Sequence, residues 1–242
     1  MRLVSVTLWL LVGAALTGGA YWSFLVTPES TVGALAASSL LLITAAFLAA
    51  VTVGGAILGW RDGLSASHLR TTITGVPAAI PGALVVFAIW WLVGSATDSV
   101  TIYSGQLNAW FIASFGWDDV SWLFTGIAWL AVWLKWVVAP MLALSLMASV
   151  LVEGWRTLTG MRWVIRALAP LPLGIATIAF GVLIAAPWIY LTPWRPAGLP
   201  ATSIELAFII AKLAVTALLM ATGVALVIRQ ATPATSTPSS TS

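Results

Sequence analysis

Six apolar segments, each about 20 residues long or longer with at most two charged residues, constrain this chain more than any other feature. A helix of about 20 residues, rising 1.5 Å per residue, crosses the hydrocarbon layer of a bilayer. Lipid offers no partner for an open backbone, so the segments predict an all-α polytopic membrane protein with six transmembrane helices. The expected bounds are Leu3 to Val26, Ala34 to Trp60, Pro77 to Ser95, Val120 to Val152, Ala169 to Leu191 and Ile204 to Ile228.

The composition supports this class and excludes several others. Hydrophobic residues make up 61% of the chain and charged residues 7%, whereas about a quarter of the residues in soluble domains are charged. The sequence pI near 9.8 does not indicate nucleic-acid binding, because the ten Lys and Arg form no basic stripe. With no Cys and one His, disulfides, thiolate metal sites and bis-histidine haem are excluded within the chain. We therefore expect no metal and no cofactor.

The domain organisation is simple. Residues 1–230 are expected to form a single transmembrane helical domain. Residues 231–242 consist only of Ala, Thr, Pro and Ser, which predicts a disordered tail. Two helix starts carry capping signals, Thr27-Pro28-Glu29 before the second helix and a capping box of Thr202 and Glu205 before the sixth.

The Arg residues predict the orientation in the membrane. If six helices alternate in direction, seven Arg gather at one end of the bundle, and the opposite end has only Arg195, with Glu29, Asp98, Asp118 and Asp119. Positively charged loops stay in the cytoplasm, so both termini are predicted to be cytoplasmic. We call the end marked by the seven Arg the basic end. They are Arg2, Arg61, Arg70, Arg156, Arg162, Arg166 and Arg229.

The first segment has an alternative interpretation. Arg2, an apolar stretch and the small residues Gly18 and Ala20 also fit a cleavable signal peptide. The apolar run continues through Tyr21 to Leu25, longer than a signal core, which favours a retained helix. Cleavage would leave five spans and would not change the other assignments.

A sequence echo predicts a tandem helical-hairpin repeat. Gly59-Trp60-Arg61 and Gly154-Trp155-Arg156 are each followed by a short basic segment, a pair of prolines and an apolar span. The expected units are residues 34–95 and 120–192, related by an axis along the membrane normal. Chance remains the alternative, because Trp and Gly are abundant in this chain.

Two short segments are predicted to lie at the membrane surface. Arg162 and Arg166 are four residues apart on one helix face, which favours anchoring to anionic headgroups, with a specific lipid or phosphate site as the alternative. At the opposite end, Ser104 to Phe115 has the pattern of a separate interfacial helix, with a lid over a cavity as the alternative.

Lys135 and Lys212 lie within apolar segments and are therefore candidate functional residues. Each lies about 25 to 27 Å along its helix from the basic end, so its ammonium group can reach the far interface. Anchoring is the favoured interpretation, and an anion or headgroup site at the far mouth is the alternative.

The acids and the single His carry weaker hypotheses. Glu205 is expected to complete the capping box rather than carry protons. Asp118 and Asp119 complement the dipole of the fourth helix, with a cation site as the alternative. His68, close to Asp62 in the chain, is expected to be a surface residue.

The fourth segment is long and rich in tryptophan. Its 33 residues would extend about 50 Å, so its outer half is expected to protrude or lie flat, with Pro140 permitting a bend. A Trp stripe on this helix predicts an interfacial belt or a helix contact, with a pigment, quinone or lipid contact as the alternative. The stripe comprises Trp122, Trp129, Trp133 and Trp136.

Small residues predict a packing surface on the second helix. Ala46, Ala50 and Gly54 recur every four residues, and Gly55 with Gly59 forms a small-x-x-x-small pair. Such residues allow a second helix to approach closely in lipid.

We found no nucleotide loop, metal-binding helix or nucleophile elbow in the sequence. The favoured function is a non-catalytic structural or accessory subunit of a membrane complex, whose partners are the lipid bilayer and other membrane protein subunits or a second copy. One alternative is a small transporter or channel, which needs polar residues converging near the midplane. Another is a lipid-modifying enzyme, which needs His68, Asp62 or Asp118 and Asp119 gathered in a pocket.

Overall fold

The computed structural model describes residues 1–27, 31–116, 120–194 and 202–233, and helices account for nearly all of them, with no strand in these ranges. Six helices are long and apolar enough to cross a membrane, which confirms the predicted all-α class and the number of candidate spans. Glu29, Asp118, Asp119, Arg195 and residues 234–242 of the tail lie outside the described ranges. The first to sixth spans are Arg2–Val26, Val32–Asp62, Val76–Phe115, Ser121–Glu153, Pro170–Leu191 and Ile204–Ala231.

Two short helical elbows connect spans at the basic end. In the first elbow, Gly63 has φ +90° and the helix Ala66–Thr74 follows it. In the second, Gly154 has φ +84° and is followed by the 3-10 turn Trp155–Thr159 and the helix Arg162–Leu168. Positive φ is costly for residues with a Cβ, so a glycine ends the long helix in both places.

The Gly-Trp-Arg triplets of the predicted repeat occupy different positions in their elbows. Gly59 and Trp60 lie inside the second span, which continues to Asp62, whereas Gly154 itself ends the fourth span. The Trp60 side chain contacts the sixth span, while Trp155 is 53% exposed. The order of a span, a short helix and a second span occurs twice along the chain. The tandem repeat itself stays a prediction.

The third span is longer than the sequence indicated. The segment was expected to end at Ser95 and a separate helix to begin at Ser104, but Ala79–Phe115 is one α-helix of 37 residues. The polar stretch between them contains no proline, and its hydroxyls bond back to the helix. Thr97 and Thr101 donate to the carbonyls of Val93 and Thr97 at 2.8 and 2.9 Å. Such local bonds satisfy polar side chains without breaking the helix.

Proline widens the fourth and fifth spans. The π-helical segments Leu134–Val138 and Phe180–Ala185 lie just before Pro140 and Pro187. A proline inside a helix has no N–H and clashes with the carbonyl four residues earlier. A π-helical turn holds about one residue more than an α-helical turn, and this wider turn relieves the clash while the helix continues. The outer half of the fourth span packs against the third span. The fourth span keeps the 33 residues that led us to expect protrusion, and that expectation stays a prediction.

The buried core lies in the basic half of the bundle and near its middle. The first span packs against the second and sixth, the fourth packs against the third, and the fifth packs against the sixth. One apolar cluster is centred on Val6, Ile57, Ala148 and Ile228, from four different spans. A second lies around Met141, where the fourth, fifth and sixth spans meet.

Burial is sparse toward the opposite end. In the third span only Ala78 and Gly82 are buried, both within its first two turns. Beyond them, Phe87 and Trp91 are 69% and 63% exposed. The third span is thus buried only at its base, and most of its outer side chains are exposed.

Candidate functional site

Lys135 lies where the third and fourth spans meet. Its Nζ is 5.7 Å from the centroid of the Trp90 ring, and a Cβ on Gly94 would lie 3.7 Å from the same Nζ. The side chain is half-buried. A cation over an indole face is stabilised by the ring quadrupole, so Trp90 provides a local partner for the ammonium group.

The backbone at Lys135 explains a second contact with Trp90. In the π-helical segment the Ala139 N–H donates to the Leu134 carbonyl, and Pro140 has no N–H to donate. The Lys135 carbonyl is thus left without a helical donor. The Trp90 Nε1–H donates to it at 3.0 Å. An unpaired carbonyl in lipid is costly, so the defect created by Pro140 provides the attachment point for the third span.

Tryptophan N–H groups join spans at three further places. Trp9 donates to the Thr52 carbonyl at 2.8 Å, Trp60 to the Ala225 carbonyl at 2.8 Å, and Trp133 to the Thr177 hydroxyl at 3.0 Å. Together with Trp90, these bonds link the first span to the second, the second to the sixth, the third to the fourth and the fourth to the fifth. In lipid such bonds supply association energy that the hydrophobic effect does not.

The predicted Trp stripe of the fourth span divides into two pairs. Trp133 makes the bond to Thr177, and the Trp136 ring lies 4.8 Å from Trp90 and 6.5 Å from Phe180. Trp122 and Trp129 are 60% and 69% exposed. The inner pair therefore makes helix contacts, and the outer pair has the exposure expected of an interfacial belt.

Lys212 stabilises the end of the fifth span. Its Nζ donates to the Thr192 carbonyl at 2.7 Å and to the Trp194 carbonyl at 3.1 Å, and lies 5.7 Å from the centroid of the Phe208 ring. Carbonyls at the C-terminus of a helix lack intrahelical donors and carry partial negative charge. Lys212 supplies both the missing donors and a compensating positive charge. It therefore anchors the end of the fifth span, and this role differs from extending toward lipid headgroups.

Arg162 and Arg166 have different environments in the second elbow. Arg166 donates to the Ser149 hydroxyl at 2.9 Å and to Glu153 Oε1 at 3.2 Å, both on the fourth span. Arg162 is exposed. The Ser145 hydroxyl also donates to the Trp163 carbonyl at 2.8 Å. Arg166 therefore attaches the elbow to the bundle, and Arg162 is the one of the two that is accessible to headgroups.

His68 and Asp62 come together in the first elbow, next to Ser65. The His68 Nε2 is 4.0 Å from Asp62 Oδ2, and His68 Nδ1 is 2.8 Å from the Gly63 carbonyl and 3.1 Å from Ser65 Oγ. A carbonyl only accepts, so Nδ1 carries a proton and donates it to Gly63. A protonated Nδ1 cannot take a proton from Ser65, so this arrangement does not activate the hydroxyl as a nucleophile.

The predicted packing residues of the second span meet three different neighbours. A Cβ on Gly54 would lie 2.9 Å from Thr72 Cγ2, and one on Gly55 would lie 2.6 Å from the Trp9 ring. A Cβ on Gly59 would lie 2.8 Å from Leu64 Cδ2. Ala50 is half-buried and Ala46 is exposed. The close approach is thus confined to the part of the span near the basic end.

Three further glycines allow close helix approach and were not singled out from the sequence. A Cβ on Gly13 would overlap the Thr52 side chain, one on Gly82 would lie 3.0 Å from the Ala143 carbonyl, and one on Gly223 would lie 2.9 Å from Ile184. Gly13 and Gly223 have no Gly or Ala four residues away, so the spacing pattern could not find them. Gly82 does follow Ala78 by four residues, and this pair was missed.

Arg2, Arg61 and Arg229 belong to three different spans, and the sequence did not distinguish them from the other four Arg of the basic end. The structure brings them to one cleft at the basic end. No group of three or more His, Cys, Asp or Glu that could hold a metal ion occurs within the described ranges.

Comparison with known proteins gives no family for this chain: it matches no family model, no curated protein and no solved structure. Its function is therefore argued from its own residues.

Proposed function

We propose that this chain is a non-catalytic accessory subunit of a membrane complex and that it binds its partner through the outer part of its third span. The partner is another membrane protein subunit or a second copy of the chain. The observation that supports this proposal is the length and exposure of residues 96–115, which we call the arm.

The arm extends past the hydrocarbon layer. At 1.5 Å per residue the 37 residues of Ala79–Phe115 extend about 55 Å, whereas the hydrocarbon layer is about 30 Å thick. The helix starts at the basic end, so the excess of roughly 25 Å lies at the opposite end. Polar residues from Ser95 to Thr101 mark the expected interface.

The arm remains apolar beyond that interface. Ile102, Tyr103 and Trp110 are 74%, 54% and 55% exposed. Apolar surface in water costs about 25 cal/mol per Å². Lipid tails do not reach this height, so covering by a protein partner is the favourable solution.

One face of the arm has the spacing of a helix-binding surface. Tyr103, Leu107 and Trp110 lie at i, i+4 and i+7, and with Ser99, Val100 and Gln106 they line a shallow groove of about 560 Å³. This spacing is typical of anchors that contact a neighbouring helix.

The experiment compares two substitutions on opposite faces of the arm. Trp110→Glu lies on the grooved face, and Ile112→Glu is the matched control on the other side. Each variant is extracted from its native membrane in mild detergent and its complex is sized on a native gel. We expect Trp110→Glu to shift the chain from complex to free subunit and Ile112→Glu to leave the complex intact.

A photo-crosslinker at Tyr103 provides the second readout, with Leu92 as a control that lies within the hydrocarbon. A protein adduct of one defined mass at Tyr103 and lipid adducts alone at Leu92 would support the proposal. Free migration of the unmodified chain together with lipid adducts alone at Tyr103 would contradict it. Two differently tagged copies then distinguish a second copy from another subunit.

For the orientation we propose that both termini lie in the cytoplasm, on the basis of the seven-to-one distribution of Arg. The chain has no Cys, so single Cys residues at Ser30, Ser104 and Ser240 report topology directly. An impermeant thiol reagent added to sealed cells should label the first two positions only. Labelling at Ser240 would reverse the orientation.

A further inference from the structure

Three arginines from three different spans meet in a cleft at the basic end. Arg2 begins the first span, Arg61 lies near the end of the second and Arg229 near the end of the sixth. Together with Trp60 and Thr232 they line a space of about 620 Å³. Convergence of separate chain segments distinguishes this cleft from the scattered Arg that the positive-inside rule requires.

The contacts inside the cleft hold these side chains in place. The Arg2 Nη1 donates to the Trp60 and Arg61 carbonyls, each at 3.2 Å. The Arg229 guanidinium lies 5.6 Å from the centroid of the Trp60 ring, and the Trp60 N–H is bonded to Ala225. Arg2 is thus held by backbone carbonyls and Arg229 by the Trp60 ring, so these two side chains lose little freedom when an anion binds.

The positive charge of the cleft is only partly compensated. Asp62 Oδ1 lies 3.6 Å from Arg61 Nε, and the same carboxylate faces His68 at 4.0 Å. Within the described ranges, Arg2 and Arg229 form no ion pair. Guanidinium groups present paired N–H donors that match the oxygens of a phosphate. The cleft therefore suits a phosphate group.

An apolar groove runs between the same three spans. It has a volume of about 600 Å³ and extends along the first span from Leu10 to Tyr21, facing Val53 on the second and Ala221 on the sixth. Leu10 lies eight residues, about 12 Å, along the first span from Arg2, so the groove extends past the midplane of a layer about 30 Å thick. Val6 lies between Leu3 and Leu10 on the same helix face and is fully buried. The groove is therefore separate from the cleft.

We propose that spans one, two and six bind the headgroup of one anionic phospholipid, with its phosphate on Arg2, Arg61 and Arg229. The negative charge of the lipid matches the cleft. Basic pockets between membrane helices near the cytoplasmic side bind such headgroups by the same chemistry.

The test uses the full chain purified in detergent, with dioleoylphosphatidylglycerol and dioleoylphosphatidylcholine as probes and native mass spectrometry as the readout. We expect phosphatidylglycerol, which is anionic, to bind more tightly than phosphatidylcholine. Arg229→Gln should weaken the binding of phosphatidylglycerol about tenfold, because it removes charge-assisted bonds to the phosphate. Arg156→Gln, at an exposed arginine outside the cleft at the same end, is the matched control and should leave affinity unchanged.

Two further comparisons test the proposal. Arg229→Lys retains the charge and should show intermediate affinity, while melting of the helical circular-dichroism signal checks that each variant is folded. Ala14→Phe, which fills the separate groove, should leave binding of the lipid at the cleft unchanged.

Inorganic phosphate separates the two sources of a phosphate group. Displacement of the lipid by millimolar phosphate would assign the cleft to a free anion and overturn the lipid. Equal affinity of the folded Arg229→Gln and Arg156→Gln variants for phosphatidylglycerol would overturn the site itself.

Discussion

The two ends of the bundle differ in how their helices are held together. At the basic end, glycines bring the first and second spans into contact, Arg166 attaches the second elbow, and the two apolar clusters join all six spans. Toward the opposite end, the third span beyond Gly82 has no buried residue. Its attachments there include the Trp90 bond and the Trp136 contact.

This difference shows what holds helices together in lipid. An apolar side chain gains little by leaving lipid for a protein neighbour, so apolar character alone does not bring helices together. Contact forms where small residues permit backbone approach or where a polar group has a partner. The basic end has both, and the opposite end has mainly single hydrogen bonds.

A large side chain in place of a packed glycine should lower the free energy of unfolding the most. Gly55→Leu must displace the Trp9 ring, which lies 2.6 Å from the position of a Cβ, and so break the Trp9 bond to Thr52. We expect a loss of about 3 kcal/mol in the free energy of unfolding. Gly126→Leu, toward the opposite end with nothing within 4 Å of its Cβ, should change stability by less than about 0.5 kcal/mol. Unfolding in mixed micelles, followed by circular dichroism, measures both, and equal losses would remove the distinction between the ends.

Loss of the elbow attachment should come next. Arg166→Ala removes the bonds to Ser149 and Glu153 and leaves a buried hydroxyl without this donor. We expect a cost of about 1 to 2 kcal/mol, reduced from the value for a fully buried bond because Arg166 and Glu153 are partly exposed. Arg162→Ala is the control and should be close to neutral. The same unfolding assay applies, and a neutral Arg166→Ala would show that the elbow packs without its arginine.

Removal of one hydrogen bond at the opposite end should lower the free energy of unfolding slightly less than loss of the elbow attachment does. Trp90→Phe keeps an aromatic ring but leaves the Lys135 carbonyl without its donor. A net loss of about 1 kcal/mol is expected. Trp91→Phe, the exposed neighbour on the same helix, should be neutral. Limited proteolysis of the third span should also be faster in Trp90→Phe, and identical proteolysis of the two variants would show that this bond does not hold the span.

Lys135→Gln should have the smallest effect. The substitution removes the cation from the Trp90 ring, a contact of about 0.5 kcal/mol at a half-exposed site, and leaves the backbone bond to Trp90 in place. Stability and cellular phenotype should stay near those of the unmodified protein. Lys212→Met is the comparison, since it leaves the carbonyls of Thr192 and Trp194 without a charged donor. Loss of a transport phenotype in both variants at normal protein levels would give these lysines a role in translocation instead.

The sequence by itself determined the all-helical class and the six candidate spans. Lipid requires every backbone group to be bonded within its own segment, so long apolar runs can form only helices. Composition also excluded disulfides and thiolate metal sites, because those need residues that the chain lacks. The end of the third span was missed because hydroxyls that usually indicate a break, such as Thr97 and Thr101, bond within the helix instead.

Only the tertiary structure decided which faces of the helices meet. In a soluble protein, apolar periodicity marks the buried face, but in lipid both the buried and the exposed face are apolar. Gly126 and Gly55 therefore look alike in the sequence, although a Cβ on Gly55 would meet a tryptophan ring and one on Gly126 would meet no atom of another described element within 4 Å. The grouping of Arg2, Arg61 and Arg229 likewise depends on which spans are neighbours. That choice follows from shape and from single hydrogen bonds, which act between residues far apart in the chain.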